Sequence, residues 1–161
     1  MWLPTGLLAQ LHDLVREHAP LETGGMLLGW HNHGKVAIDA AINAGPGALR
    51  SRTGFTPDGP WQQQQLATVY EQSGRTVTYL GDWHSHPHGP ARPSGQDRKT
   101  AGAIAASEEA RTPYPITLIL GRNRRRAKFI ARAYIHTDGK LRRATLQVHE
   151  GGRCGAKLGD F

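Results

Sequence analysis

The stretch GDWHSHPHGPARPSGQD, from Gly81 to Asp97, constrains the fold of this chain more than any other. It follows the β-favouring run Thr76-Val77-Thr78-Tyr79-Leu80, so residues 77–86 read as a strand. Pro87 ends that strand, because proline has no N–H to give to a ladder. Side chains on a strand alternate faces, which puts Asp82, His84 and His86 on one face and Trp83 and Ser85 on the other. Ser94-Gly95-Gln96-Asp97 then matches the S-x-x-[DE] pattern that opens a helix. The chain must therefore bring a strand end carrying two imidazoles close to a capped helix start.

That junction has the composition of a metal site. Imidazoles at i and i+2 near a strand end can converge on one ion. A catalytic zinc site needs three protein ligands and one open position. His84 and His86 supply two, and Asp97 is the best third. Taken alone, Asp97 is a helix cap and His-x-His is surface decoration. Taken together, a first-turn aspartate can cap and still turn a carboxylate toward a metal held by the preceding strand. Asp82 has two readings, as the partner that orients a ligand imidazole or as the mate of a nearby arginine. His88 has no further acidic partner at a suitable spacing and is expected in solvent, as are His31 and His33 beside a hairpin turn.

The rest of the chain reads as alternating elements. Thr5 to about His18 is an amphipathic helix, with Leu7, Leu8, Leu11, Leu14 and Val15 at spacings of three and four. ETGGMLLGWHN and KVAIDAAIN form a hairpin turning at Asn32–Gly34. AGPGALRSRTGFTPDGP is loop, and a helix follows with Asp58 near its start and Gly74 after its end. SGQDRKTAGAIAASEEA is a third helix. PITLIL, AKFIARAYI and KLRRATLQV are three more strands, the last two joined by a His136–Gly139 turn. This pattern predicts a curved mixed sheet flanked by helices, with the metal at one edge of it, in one domain over residues 1–150. A Gly-rich tail occupies residues 151–161.

Composition narrows the setting. No apolar run is long enough to cross a membrane. MWLPTGLLAQLHDLV lacks the basic start and unbroken apolar stretch of a signal peptide. Cys154 is the single cysteine, so no internal disulfide forms, and a cytoplasmic protein is expected. Net charge is +7, concentrated in Arg122, Arg124, Arg125, Arg126, Lys128 and Arg132 and then Lys140, Arg142 and Arg143. This favours an acidic partner. No aromatic residue is interleaved in the Arg124–Arg126 block, which reads as a solvated turn rather than a base-stacking surface.

His84-Ser85-His86, seven residues from Pro87 to Pro93, then Ser94-x-x-Asp97 resembles the motif of the JAMM (JAB/MPN) metalloenzyme family. Glu22, in LETGGMLLG, is similar to that family's upstream E-x-G-G-x-L-x-G glutamate. The resemblance covers about Thr5 to Tyr134. It implies a single-domain α/β JAB/MPN (cytidine-deaminase-like) fold and one Zn2+ per chain held by His84, His86 and Asp97. Glu22 would take a proton from the attacking water and pass it to the leaving amine, and Ser94 would donate a hydrogen bond to the oxyanion. The substrate implied is a ubiquitin-like or C-terminally conjugated protein. GPG before the second helix and YLGDWHSHP resemble compact prokaryotic JAB proteins found beside E1/E2-like conjugating enzymes in antiphage (CBASS-type) operons. Three other readings stand beside this one: trimming of a sulfur-carrier C-terminus, a RadC-like DNA-associated protein, and a non-catalytic scaffold. The scaffold conflicts with a complete set of Glu22, His84, His86, Ser94 and Asp97. The RadC reading lacks a preceding helix-hairpin-helix region, and no specific nucleic-acid site is expected.

Overall fold

The computed structural model describes residues 1–32, 34–123 and 128–150. The elements run β1 (Trp2–Pro4), α1 (Thr5–His18), β2 (Gly24–Asn32), β3 (Lys35–Ile42), β4 (Leu49–Ser51), β5 (Gly54–Thr56), α2 (Gly59–Gln72), β6 (Thr78–His86), α3 (Gly95–Ala106), β7 (Ile116–Asn123), β8 (Lys128–Thr137), β9 (Lys140–Ala144) and β10 (Gln147–His149). The main sheet is mixed and has eight strands in the order β10-β1-β3-β2-β6-β7-β8-β9. β6 and β7 are parallel, with α3 as their crossover, whereas β2 pairs antiparallel with both β3 and β6. The α/β class and the mixed sheet flanked by helices are as expected from the sequence.

The helices divide between the two faces of the sheet. On one face, Leu7, Leu11 and Val15 of α1 form the main core with Leu27, Ile38, Leu80, Trp83, Leu118 and Leu120. The spacing of four residues between the α1 positions sets one side of that helix against the sheet. On the other face, Trp61, Leu66 and Val69 of α2 pack over Leu28, Ala40 and Ile42. α3 lies on that same face, over β7, β8 and β9. Between α2 and α3 the floor of β6 is left open, and this gap positions the site.

Several sequence expectations change. The metal-type residues sit at the end of a central strand, β6, rather than at an edge of the sheet. A helix start must follow the strand that carries the imidazoles, and a parallel βαβ crossover puts that junction inside the sheet. The segment expected as loop contains the hairpin β4–β5, a separate two-stranded sheet. KLRRATLQV divides: β9 pairs with β8, while β10 crosses to the opposite edge and pairs in parallel with β1. β1 itself is only three residues long and carries no alternation to announce it. The β8–β9 turn is tighter than expected, with Asp138 and Gly139 both at positive φ, the geometry of a two-residue hairpin loop. α3 stops at Ala106 because Ser107 is extended, and Glu108 and Glu109 are poor residues for a helix C-terminus. His33, the Arg124–Arg126 block, Cys154 and the 151–161 tail lie outside the described residues.

Candidate metal centre

β6 and α3 meet as the strand-to-cap reading requires. Ser94 caps α3, its Oγ accepting from the Asp97 N–H at 3.2 Å, and the Ser94 N–H donates to Asp97 Oδ2 at 2.6 Å. This reciprocal capping box locks the Asp97 carboxylate in place. Its oxygens then face the imidazoles: Oδ1 lies 3.2 Å from His84 Nε2 and Oδ2 lies 3.5 Å from His86 Nε2. The two Nε2 atoms are 3.1 Å apart.

These separations fit a shared ion. Ligands about 2.05 Å from a tetrahedral zinc are about 3.3 Å from each other. One ligand atom from each of His84, His86 and Asp97 lies within 4.8 Å of the others. His86 Nδ1 is 3.1 Å from the Pro90 carbonyl, which can only accept. Nδ1 therefore carries a proton in either charge state, and in the neutral ring Nε2 presents its lone pair to the cluster, the usual arrangement behind a metal-bound imidazole. Two imidazole nitrogens and a carboxylate oxygen aimed at one point form a donor set for a cation such as zinc.

Electrostatics follow the geometry. Burial pushes the Asp97 carboxyl up, but hydrogen bonds to His84 and His86 outweigh it and hold the group well below the usual carboxylate range. Burial lowers His86, and the hydrogen bond to Asp97 more than reverses this, so its net direction is upward. Glu22 stands beside the cluster without belonging to it. Half-burial raises its carboxyl, against the opposing pull of His86 and His84.

Glu22 is held by contacts that sequence reasoning did not identify. Its N–H donates to the Ser51 carbonyl of β4 at 2.7 Å. The next residue is clamped to β6: the Thr23 N–H donates to Ser85 Oγ at 3.0 Å, and the Ser85 N–H donates to the Thr23 carbonyl at 2.8 Å. Gly24 pairs with His84 in the ladder, so Glu22 is delivered to the metal end of β6. Gly24 must be small, since a Cβ would run into the Trp83 carbonyl and the Phe55 ring. Ser85 lies on the face of β6 opposite the imidazoles, as strand alternation predicts, and is buried there, where the clamp uses it.

The remaining candidates divide as follows. Asp82 takes neither of its expected partners. Among the described residues its hydrogen bond comes from the Tyr79 hydroxyl, at 2.8 Å. Burial raises the Asp82 carboxyl and pushes the Tyr79 phenol far up. His88 is exposed as expected but is not free, since its Nε2 lies 3.1 Å from the Pro20 carbonyl. His31 is exposed. Glu22, Ser94, His84, His86 and Asp97 all line one cavity of about 800 Å³ in the gap between α2 and α3.

A family model described as prokaryotic homologs of the JAB domain matches residues 4–134. A probable metalloprotease of Sinorhizobium fredii, y4qB, is 41% identical over 123 residues, covering 74% of each chain. A CD-NTase/cGAS isopeptidase of Escherichia coli is 34% identical over 102 residues, covering 63% of this chain and 62% of that relative. Its Vibrio cholerae counterpart is 31% identical over 113 residues, covering 70% of this chain and 67% of the relative. The solution structure of a Desulfitobacterium hafniense protein superposes with a TM-score of 0.68 at 18% identity, covering 94% of each chain. A Salinibacter ruber protein superposes with a TM-score of 0.59 at 22% identity, covering 93% of this chain and 92% of that one. At those identities the two structures share its fold.

Proposed function

The chain belongs to the family of prokaryotic homologs of the JAB domain, and from that premise we propose that it is a zinc-dependent metallopeptidase of the isopeptidase type. It cuts the amide bond after the C-terminus of a ubiquitin-like modifier, or of a protein conjugated through its own C-terminus. The observation that carries this reading is the convergence of His84, His86 and Asp97 with the Glu22 carboxylate beside them in one open cleft.

Zn2+, when bound, supplies Lewis acidity that polarises the scissile carbonyl and acidifies water. The residues of the chain do the rest. Glu22 accepts the proton released as water adds to the carbonyl carbon, and returns it to the amine as the C–N bond breaks. Its half-buried position, with the carboxyl shifted upward, suits a group that must both take and give a proton. Ser94 Oγ accepts from the Asp97 N–H, so its own O–H proton is left to donate to the developing oxyanion. Asp97 spends one oxygen on the cap and keeps the other for the metal. Pro90 and the capping box hold these groups before substrate arrives, which reduces reorganisation during the reaction.

An extended C-terminal segment enters beside the active site as an added strand. The β4–β5 hairpin, separate from the main sheet, lines the cleft mouth with Thr53, Gly54 and Phe55 and suits that approach. The isopeptidase relatives support a conjugated protein as substrate. They also fit a cytoplasmic, antiphage setting with E1/E2-like conjugating enzymes as partners.

The test is zinc content by mass spectrometry alongside cleavage of conjugates made by bacterial E1/E2-like enzymes. Glu22→Ala is expected to keep zinc and lose about 10² to 10⁴ in turnover. His84→Ala is expected to lose both, and a chelator should abolish cleavage until zinc is restored. Parent-rate cleavage by Glu22→Ala or by metal-free protein would end the proposal.

A further inference from the structure

The cavity is longer than the reaction needs. The catalytic cluster occupies the end of β6, yet the space continues along the strand toward Tyr79 and Asp82, walled by Met26, Ala101 and Ile104. Asp82 lies two residues before His84 on the same face of β6, about 7 Å along the strand. It is not among the converging metal ligands.

The backbone is bent to place its partner there. Leu27 pairs with Gly81 and Leu28 with Tyr79, so Leu80 is an extra residue in β6. This bulge reverses the alternation, and Tyr79 joins Asp82 on the cavity face, where its hydroxyl donates at 2.8 Å. Gly81 makes the bulge possible, with φ at 140° and a main chain too close to Ile116 for any Cβ. Leu80 turns into the core beneath α1.

Asp82 is partly buried, and its accessible part opens onto the cavity it lines. A carboxylate has about four acceptor positions, and among the described residues only Tyr79 fills one of them. A carboxylate so confined, with one protein donor, is favoured in its charged form only when a further donor or a cation joins it. Arg52 and His88 are the basic groups at the cavity mouth, near the catalytic end, and neither bonds to Asp82.

We infer that the inner end of this cavity is a specificity subsite for a cationic substrate side chain, with Met26 and Ile104 packing its apolar stem and Asp82, braced by Tyr79, receiving its ammonium or guanidinium head. The four-carbon stem of lysine, or the shorter stem of arginine, covers a gap of this order from the reacting centre. The identity of the ligand as a peptide side chain rests on the peptidase reading, whereas the affinity for a cation on an apolar stem does not.

The experiment uses the metal-loaded full chain and needs no turnover. The methylamides of Nα-acetyl-lysine and Nα-acetyl-norleucine, alike except for the charged head, are titrated and followed by amide chemical shifts. The lysine probe is expected to bind about tenfold to a hundredfold tighter, the range set by one charge-assisted hydrogen bond, with shifts at Tyr79, Asp82 and Ile104. Asp82→Asn, nearly isosteric, is expected to bring the two affinities together with zinc content unchanged. Equal binding of the two probes by the parent protein overturns the subsite without any variant, and so does a lysine preference that survives Asp82→Asn. Lysine-selective binding by a chain that cleaves no conjugate would refute the peptidase reading and leave the subsite standing. Cleavage by a chain with no preference would do the reverse.

Discussion

Ser85→Ala separates positioning of Glu22 from binding of metal. Ser85 is fully buried on the face of β6 opposite the imidazoles, and its Oγ is the acceptor for the N–H of Thr23, itself buried. Removing the hydroxyl leaves that N–H without a partner in a place water does not reach. A buried donor left unsatisfied costs about 1–3 kcal/mol. The Ser85 N–H still donates to the Thr23 carbonyl, so the strand contact survives and the lower half of that range applies. For a chain of this size each kcal/mol is worth roughly 2–4 °C, so the melting temperature should fall by about 2–8 °C. Glu22 precedes Thr23 directly, and a misplacement of about 1 Å at a reacting group can cost about 10² in rate. None of His84, His86 and Asp97 loses a contact, so zinc stoichiometry should match the parent. Thermal melts, metal analysis and kcat/KM on one preparation give all three readouts. A variant with parent stability and parent turnover would show that the Thr23–Ser85 clamp does not place the glutamate. Loss of zinc would show that Ser85 instead supports the ligands.

Gly24→Ala should destabilise the fold by about 1–3 kcal/mol and depress turnover, because the new Cβ meets the Trp83 carbonyl and the Phe55 ring where β2 pairs with His84. Gly59→Ala, in open space at the start of α2, serves as the control, and denaturant melts of both variants decide the point. In metal-free protein the His86–Asp97 pair should confer a stability window. Asp97 is depressed in the fold, so its contribution is present above its unfolded value near 3.9 and is lost as pH falls further. His86 is raised, so its contribution is complete below about 6.5 and is lost as pH rises through the folded value. Zinc requires the neutral imidazole, so bound metal should shift the optimum upward, and a flat difference between apo and loaded melts across pH 4 to 8 would contradict this.

Much of the site could be read along the chain because its parts are local. His84 and His86 share a face through strand alternation alone, and Ser94 and Asp97 meet through the four-residue logic of a helix cap. α1, the β2–β3 hairpin and α2 are likewise products of short-range periodicity, turn chemistry and capping. Glu22 is different. Its tie to the imidazoles runs through the pairing of β2 with β6 and through the Thr23–Ser85 clamp, contacts 62 residues apart that no local pattern encodes, and only the family resemblance pointed to it. The β4–β5 hairpin was hidden by its three-residue strands, too short to show a period, and its tie to the site is the hydrogen bond from the Glu22 N–H to the Ser51 carbonyl. β10 was hidden because its partner is the chain's opposite end. Strict alternation counted back from the histidines would turn Tyr79 toward the core face with Trp83 and Ser85. The bulge at Leu80 adds one residue, and a single insertion transfers a side chain from the core to the cavity. Periodicity specifies which residues share a face within an element. Which faces meet, and where a strand departs from its period, is set by the packing of β6 between β2 and β7.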